Sequence, residues 1–131
     1  MDLICVDPAR VDQFWPHVLP MLQAATEQCG DWSLTDIRAA LDGHALLWIA
    51  FGNGQLEAAA VTQLIETKNG LACHAVACGG SGDQWVEYLQ EIEHYAKAEG
   101  CSVMRIEGRE GWRRVFKDYK LAWITLEKRI R

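Results

Sequence analysis

The sequence predicts an α+β domain in which helices pack on a single sheet. Three observations support this fold class. Apolar runs of strand length, separated by turns that contain glycine, occupy most of residues 45–78. The segment that follows repeats its apolar residues at the spacing of a helix. The 131 residues are half hydrophobic and show no internal repeat, so we expect one domain over residues 1–131.

The N-terminal region predicts a short strand and a long helical segment. Residues 3–7 form an apolar run, and Asp7-Pro8 supplies a typical N-cap and first helical residue. Gly30 is the expected end of the helix that they open. Pro16 and Pro20 each remove a backbone donor, which predicts that this helix is kinked or split in two.

A second helix and a three-stranded antiparallel meander come next. Ser33 caps the helix expected over residues 33–43, with Asp36 in its first turn. The strands are expected at 45–51, 55–67 and 71–78, and they are joined by the turns Gly52-Asn53-Gly54 and Lys68-Asn69-Gly70.

The C-terminal half predicts two more helices and two more strands. The expected elements are an amphipathic helix that carries an apolar stripe from Trp85 to Ala96 and ends at Gly100, a strand at 101–108, a short helix at 112–119 and a strand of alternating character at 121–130. Six tryptophans are unusual in a chain this short. Four of them fall on core-facing stripes: Trp48, Trp85, Trp112 and Trp123. For Trp15 and Trp32, core packing, a protein contact and an acceptor pocket all remain open.

Composition narrows the class of protein. The longest apolar run, 45–51, is far shorter than the roughly 20 residues that span a bilayer, so we expect no transmembrane helix and no membrane partner. The N-terminus lacks a basic and apolar leader, which predicts a cytoplasmic protein. A net charge of −5 and a pI near 5.3 argue against nucleic acid as the main ligand.

The five cysteines form no C-x-x-C pair, and we expect them to be reduced, buried and apolar in character. Cys73, His74 and Cys78 lie close together in the sequence. Adjacent residues of a strand point to opposite sides, so these three do not predict a metal site.

The order of elements resembles the GCN5-related N-acetyltransferase (GNAT) fold over nearly the whole chain. The segments ACGGSG, EGCSVMRIEG, GREGWRRVFKDYKL and LEKRI also resemble short acetyltransferase-like proteins of phages and prophages. The resemblance implies a central, mostly antiparallel mixed sheet of about six strands with helices on both faces. It also implies acetyl-CoA or CoA as the cofactor and an amine as the acceptor.

GNAT proteins hold the pyrophosphate of acetyl-CoA in a loop of the form Q/R-x-x-G-x-G/A. Free amides at a helix N-terminus attract phosphate, and glycine lets the backbone approach it. Here Ala77 stands where the family has Gln or Arg, and the helix carries acidic residues. A plain turn capped by Asp83 is the alternative. The resemblance assigns cofactor binding to Val76, Cys78, Gly79, Gly80, Ser81 and Gly82.

The residues for acyl transfer are sparse. His74 is the best candidate for the general base because imidazole titrates in the useful range, and Glu57 and Glu66 are weaker candidates. GNAT proteins commonly use a tyrosine on the last helix as the general acid. Phe116 occupies that position here, and Tyr119 falls on the apolar stripe, which favours core packing.

Two functions therefore remain open. The first is a divergent acyl-CoA-dependent N-acyltransferase that moves acetyl from acetyl-CoA to an amine. The second is a non-enzymatic phage or prophage protein, assembly- or virion-associated, that uses the fold for contacts with structural proteins. Residues 105–131 hold nine basic and four acidic residues, so this last segment offers a basic surface to solvent, to an acidic partner or to nucleic acid.

Overall fold

One mixed sheet of five strands organises the chain in the computed structural model, which describes residues 2–28, 31–80, 84–108 and 111–130. The α+β fold class is confirmed. In chain order the elements are β1 (Asp2–Cys5), a 3-10 turn (Pro8–Arg10), α1 (Val11–Gln28), α2 (Leu34–Leu41), β2 (Ala45–Gly52), β3 (Gln55–Thr67), β4 (Gly70–Gly80), α3 (Trp85–Ala98), β5 (Val103–Ile106) and α4 (Trp112–Val115).

The strands lie in sequence order, from β1 at one edge to β5 at the other. Neighbouring strands are antiparallel except β4 and β5, which are parallel. Parallel strands need a long crossover, and α3 supplies it. The turn between β2 and β3 is tight because Asn53 and Gly54 both take positive φ, 53° and 76°. The predicted meander is confirmed.

Helix α1 runs without interruption from residue 11 to residue 28, so of the two predicted effects of its prolines, a kink or a split, the split does not occur. Pro16 and Pro20 are exposed, so water can hydrogen-bond to the carbonyl groups that receive no N–H from these prolines. The opposite side of the helix carries Val18 and Leu22, both completely buried. Packing of this apolar side stabilises the helix despite the prolines. The predicted stop at Gly30 lies outside the described residues.

The N-terminal caps form as expected. The Asp7 carboxylate accepts a hydrogen bond from the Ala9 amide at 2.9 Å. Ser33 and Asp36 make a reciprocal capping box: the Asp36 amide donates to the Ser33 hydroxyl at 3.1 Å, and the Ser33 amide donates to the Asp36 carboxylate at 2.9 Å.

Helices cover both faces of the sheet, as predicted. One buried cluster joins α1 and α2 to the sheet through residues such as Leu22, Ile37 and Val61. The other cluster joins α3 and the α4 region to the opposite face, and it includes Trp48 and Trp85. The Trp48 indole donates a buried hydrogen bond to the Thr62 hydroxyl at 2.9 Å, so its polar atom is satisfied. Core positions for Trp48 and Trp85 are therefore confirmed.

The C-terminal prediction is wrong in part. Residues 121–130 are described, and they form neither helix nor strand. Trp123 is 62% exposed instead of buried, and α4 is a single turn. Strand β5 is only four residues long, which leaves little backbone for a sixth strand to pair with. In the described residues, no helix is long and apolar enough to cross a membrane.

Close packing of α1 on β4 depends on Gly79. A Cβ built on Gly79 would lie 2.2 Å from the carbonyl oxygen of Met21, and this oxygen belongs to the helix backbone. We expect Gly79→Ala to lower the free energy of unfolding by about 1–3 kcal/mol, because the helix must move outward. Urea denaturation measures the change.

Gly111→Ala is the matched control for this substitution. A Cβ on Gly111 meets nothing within 4 Å, and the φ of Gly111 is −55°, which alanine adopts freely. We expect the control to change the free energy of unfolding by less than about 0.5 kcal/mol. Equal effects of the two substitutions would show that α1 does not press on β4 at this point.

Candidate functional site

A cleft opens where β4 and β5 separate. The two strands pair from Ala72 to Ala75 on β4, and their last backbone bond runs from the Glu107 amide to the Ala75 carbonyl at 3.2 Å. Beyond Ala75, none of the described residues pairs with β4 on this side. The edge of β4 from 76 to 80 therefore faces the cleft with backbone groups that no neighbouring strand uses.

A β-bulge at Val76 explains the separation. Thr62 on β3 lies opposite Ala75, but the next residue, Val61, lies opposite Ala77, so Val76 is the extra residue. Bulges bend the strand that carries them and change its twist. The bend falls where the pairing with β5 ends, so β4 stays bound to β3 while it leaves β5.

The cleft has a volume of about 130 Å³ and walls from three elements. Ala24 and Ala25 of α1 form one wall, and Trp112 of α4 forms another. The floor is the end of β4, from Val76 to Gly80, and Glu107 and Gly108 follow β5 at the open side. Small side chains dominate, which leaves the backbone of β4 accessible.

Four of the six predicted cofactor residues line this cleft: Val76, Cys78, Gly79 and Gly80. Ser81 and Gly82 lie outside the described residues, as does Asp83, the alternative cap. Ala77 also lines the cleft. At the start of α3, the side chain of Gln84 does not cap the helix; it accepts a hydrogen bond from the Tyr88 hydroxyl at 3.2 Å.

The two described glycines of the loop also have a structural role. Gly79 is required by the approach of α1, as described above. Gly80 has a φ of 115°, and a Cβ there would lie 2.3 Å from the carbonyl oxygen of Glu57. Both glycines are thus needed by the fold without any ligand. The open strand edge, and not the glycine pattern, is the feature of the cleft that packing leaves unexplained.

His74, the predicted base, lies next to the cleft and pairs with Glu107. Its Nε2 is 3.3 Å from the Glu107 Oε1, and the His74 side chain is 16% exposed. Burial lowers the pKa of His74; Glu107 opposes this shift, and the positive charge of Arg105 reinforces it. A neutral imidazole donates its Nε2 hydrogen to Glu107, which leaves Nδ1 free to accept a proton.

Sequence reasoning missed Glu107. The residue lies one position after β5, and the parallel register that places Arg105 beside His74 also brings Glu107 to the end of the paired region. A sequence signal existed, because the chain order strand, helix, strand implies a parallel pair. The sequence did not show the register of the pair, that is, which residue of β5 lies beside which residue of β4. Glu57 and Glu66, the weaker candidates, are not among the residues that line the cleft.

Phe116 and Tyr119 belong to an aromatic ladder and not to the cleft wall. Phe116 is 5% exposed, stacks on Trp112 with ring centroids 5.3 Å apart, and contacts the Tyr119 ring at 5.6 Å. The Tyr119 hydroxyl donates to the Glu93 carboxylate, and burial together with Glu93 raises the pKa of Tyr119. Tyr119 therefore packs against the core beside Phe116, as the sequence favoured.

The cysteines near the site are inert. Burial raises the pKa of Cys73 to about 11 and that of Cys78 to about 12, so both thiols are neutral near pH 7 and weak as nucleophiles. Cys5 is exposed, contrary to the prediction of burial, and Cys29 lies outside the described residues. No group of three or more His, Cys, Asp or Glu side chains in the described part of the chain is placed to hold a metal ion.

A second, shallow pocket lies beside α2. Its lining includes Trp32, Asp36 and His44, and its volume is about 410 Å³. The Asp36 carboxylate is already committed to the capping box. Helix α2 packs on β2, whereas the cleft lies between β4 and β5 at the other end of the sheet. The pocket is therefore separate from the cleft. Trp15, the other N-terminal tryptophan, packs against the core with Arg38 over its ring.

Known proteins resemble this chain in structure alone. No family model matches the sequence, and no curated protein matches it either. Among solved structures, a predicted acetyltransferase from Clostridium acetobutylicum, crystallised with acetyl-CoA, superposes with a TM-score of 0.67 at 17% identity, over 96% of this chain and 95% of that one. The ribosomal-protein-alanine N-acetyltransferase of Brucella melitensis biovar Abortus 2308 gives 0.69 at 12%, over 99% and 100%.

An aminoglycoside acetyltransferase from an uncultured soil metagenomic sample, in complex with sisomicin, superposes with a TM-score of 0.68 at 5% identity, over 99% of this chain and 96% of that one. Similarity at these identities concerns the fold. The chain has the fold of the GNAT acetyltransferases, with five strands in the described sheet where about six were expected.

The environment of His74 makes a testable prediction about its titration. We expect its pKa to lie below the ordinary value of 6.5 because burial disfavours the charged ring. Glu107→Gln removes a charge that favours the imidazolium, so it lowers the pKa further. Arg105→Gln removes an opposing charge, so it raises the pKa. NMR titration of the imidazole Cε1 proton measures all three values.

The lowered pKa of His74 also makes the stability of the protein depend on pH. The unfolded chain binds the proton of this histidine first, so the free energy of unfolding falls as the pH drops below about 6.5. The fall should be smaller in His74→Gln, which cannot take up the proton. A His74 pKa that rises in Glu107→Gln would contradict the ion pair.

Proposed function

We propose that this chain is a divergent acyl-CoA-dependent N-acyltransferase that transfers acetyl from acetyl-CoA to an amine. One observation carries the proposal: the bulge at Val76 opens an unpaired strand edge beside the pair formed by His74 and Glu107. The fold agrees with the proposal but does not establish an activity, since one fold serves many functions.

The cleft fits the pantetheine arm of CoA. This arm is narrow and carries amide groups, so it can lie along an open strand edge and hydrogen-bond to it as an added strand does. Residues 76–80 provide that edge, and Ala24, Ala25 and Gly108 leave space beside it. The N-terminus of α3 follows within a few residues, where backbone amides favour phosphate.

Acetyl-CoA supplies an activated thioester when bound. The chain supplies the proton acceptor, because His74 is neutral near pH 7. Its Nδ1 takes a proton from the ammonium form of the acceptor, directly or through water, and the free amine that results can then attack the thioester. Glu107 accepts a hydrogen bond from Nε2 and stabilises the imidazolium that results. Glu107 is 43% exposed, so its carboxylate also offers a charge that attracts a cationic amine to the cleft.

The chain departs from the family at the general acid. Phe116 has no proton to donate, and the Tyr119 hydroxyl is held by Glu93. This observation favours a second candidate function, in which the fold is retained for contacts and the chemistry is lost. In that candidate the protein is a non-enzymatic assembly or virion-associated component of a phage or prophage.

Titration of acetyl-CoA and CoA by calorimetry separates the two functions. We expect binding in the micromolar range, and a site of ~10 µM affinity adds roughly 2.7 kcal/mol of stability at 1 mM ligand. Ala24→Glu should abolish binding, because the new side chain fills the cleft and repels phosphate. Ala24 is an exposed helical residue, so the fold should tolerate the change.

Gln13→Glu is the control for Ala24→Glu, because it adds the same charge to an exposed position of α1 that does not line the cleft. Gln13→Glu should bind acetyl-CoA as the unchanged protein does. No heat and no thermal shift at 1 mM ligand would overturn the acyltransferase and favour the non-enzymatic protein.

Catalysis by His74 has its own test. With a panel of small amines and polyamines as acceptors, we expect His74→Gln to lower kcat about 10²- to 10⁴-fold and to leave the affinity for acetyl-CoA unchanged. Glutamine keeps a hydrogen-bond donor for Glu107 but cannot take a proton at neutral pH. Release of free CoA, followed with a thiol reagent, measures the rate. Equal rates in the two proteins would remove His74 from the mechanism.

A further inference from the structure

One side of the strand pair β4–β5 carries three side chains that can exchange partners. His74 of β4 lies beside Arg105 of β5 in the parallel register. Glu107 follows Arg105 by two residues, and its amide still donates to the Ala75 carbonyl, so the chain remains extended at this point. Residues two apart in an extended chain point to the same side. The imidazole, the guanidinium and the carboxylate therefore share one surface.

Glu107 has two possible partners on this surface. Its backbone is fixed by the hydrogen bond to Ala75, so rotation of its side chain selects between the imidazole and the guanidinium. At the spacing of a strand, Arg105 and Glu107 are about 7 Å apart, a distance that an arginine side chain can cover. A guanidinium offers a carboxylate two parallel hydrogen bonds, whereas a neutral imidazole offers one. An unconstrained arginine is therefore the stronger partner.

The carboxylate is nevertheless paired with the histidine. The Nε2 of His74 is 3.3 Å from the Oε1 of Glu107, whereas no ion pair joins Arg105 to Glu107 among the described residues. The Arg105 guanidinium lies instead over the Trp123 ring, 4.8 Å from the ring centroid. An exposed cation–π contact and an exposed ion pair are similar in strength. The ring is therefore able to decide where the guanidinium lies.

Burial does not explain the position of Trp123. Trp48, Trp85 and Trp112 all belong to the buried cluster on the α3 face or pack against it. Trp123 is 62% exposed, lies outside the described helices and strands, and is a member of neither buried cluster. Its contact with the Arg105 guanidinium is thus the interaction that places its ring beside β5.

We propose that Trp123 is a positioning residue for the candidate base. By holding the Arg105 guanidinium, its ring leaves the Glu107 carboxylate to the His74 imidazole and keeps the imidazole hydrogen on Nε2. The Nδ1 atom then remains the proton acceptor. The importance of this arrangement for acyl transfer rests on the proposed function, whereas the arrangement itself does not.

The charges around His74 fix the sign of the expected effect. Glu107 favours the imidazolium, and Arg105 opposes it. On the other side of β4, the residue paired with His74 is Gln63 of β3, which is neutral. The α1 wall of the nearby cleft consists of alanines. A guanidinium that moves to Glu107 neutralises the one charge that favours the imidazolium, so the pKa of His74 must fall.

NMR titration of the imidazole in the full chain tests the proposal without any ligand. In Trp123→Ala we expect the pKa of His74 to fall by about 0.5. The nitrogen shifts of the neutral ring should also lose the preference for a proton on Nε2. Trp123→Phe keeps an aromatic ring for the guanidinium and should restore both readouts. Trp123 is largely exposed, so the fold should tolerate either change, which circular dichroism checks.

Two further variants isolate the role of the guanidinium. Leu126→Ala removes a side chain of the same segment that is 90% exposed, and it should leave the pKa of His74 unchanged. Combined with Arg105→Gln, the substitution Trp123→Ala should have no additional effect, because no guanidinium remains to be released.

The outcomes separate this inference from the proposed acyl transfer. A His74 pKa that rises or stays constant in Trp123→Ala, or that falls equally when Arg105 is already glutamine, would overturn the positioning role. If acyl transfer occurs, Trp123→Ala should lower kcat about two- to tenfold near pH 7 and leave the affinity for acetyl-CoA unchanged. A lowered pKa in a protein that neither binds acetyl-CoA nor acylates any amine supports the positioning role and overturns the acyltransferase alone.

Discussion

The unequal pairing of β4 is the constraint on which the rest of the structure depends. β4 pairs with β3 from Gly70 to Gly80 but with β5 only from Ala72 to Ala75. The bulge at Val76 allows β4 to stay paired with β3 while it separates from β5. An open strand edge presents N–H and C=O groups that another extended segment can pair with. A cleft beside an open strand edge is the physical consequence of this geometry.

The packing on both faces holds the cleft open. On one face, Gly79 lets α1 lie against β4, so Ala24 and Ala25 become a wall of the cleft. On the other, Trp85 contacts Trp112 edge to face at 5.7 Å, and Trp112 stacks on Phe116. This ladder positions the single-turn α4 and with it the second wall. Phe116 supports this wall from behind, because its ring stacks on Trp112.

The site and the C-terminal segment meet at β5. His74 lies beside Arg105 in the parallel register, and Arg105 stacks on Trp123. Arg105 of this four-residue strand thus has two roles. Its charge lowers the pKa of His74, and its guanidinium lies over Trp123, near the start of residues 121–130. Because β5 is short, its pairing with β4 ends early, and none of the strands in the described part of the chain pairs with residues 126–130.

The sequence by itself determined the elements with strong local signals: the meander with its glycine turns, the Ser33 capping box, the amphipathic α3 and the order that resembles the GNAT fold. It also pointed to His74 and to the end of β4. Only the tertiary structure decided how α1 passes its two prolines, that Glu107 lies 3.3 Å from His74, and that 121–130 remains unpaired. The physical reason is the range of the interactions. Caps, turns and periodicity act within a few residues. The bulge register instead joins Thr62 with Ala75 and Val61 with Ala77, and the pair of His74 and Glu107 joins two strands on either side of α3.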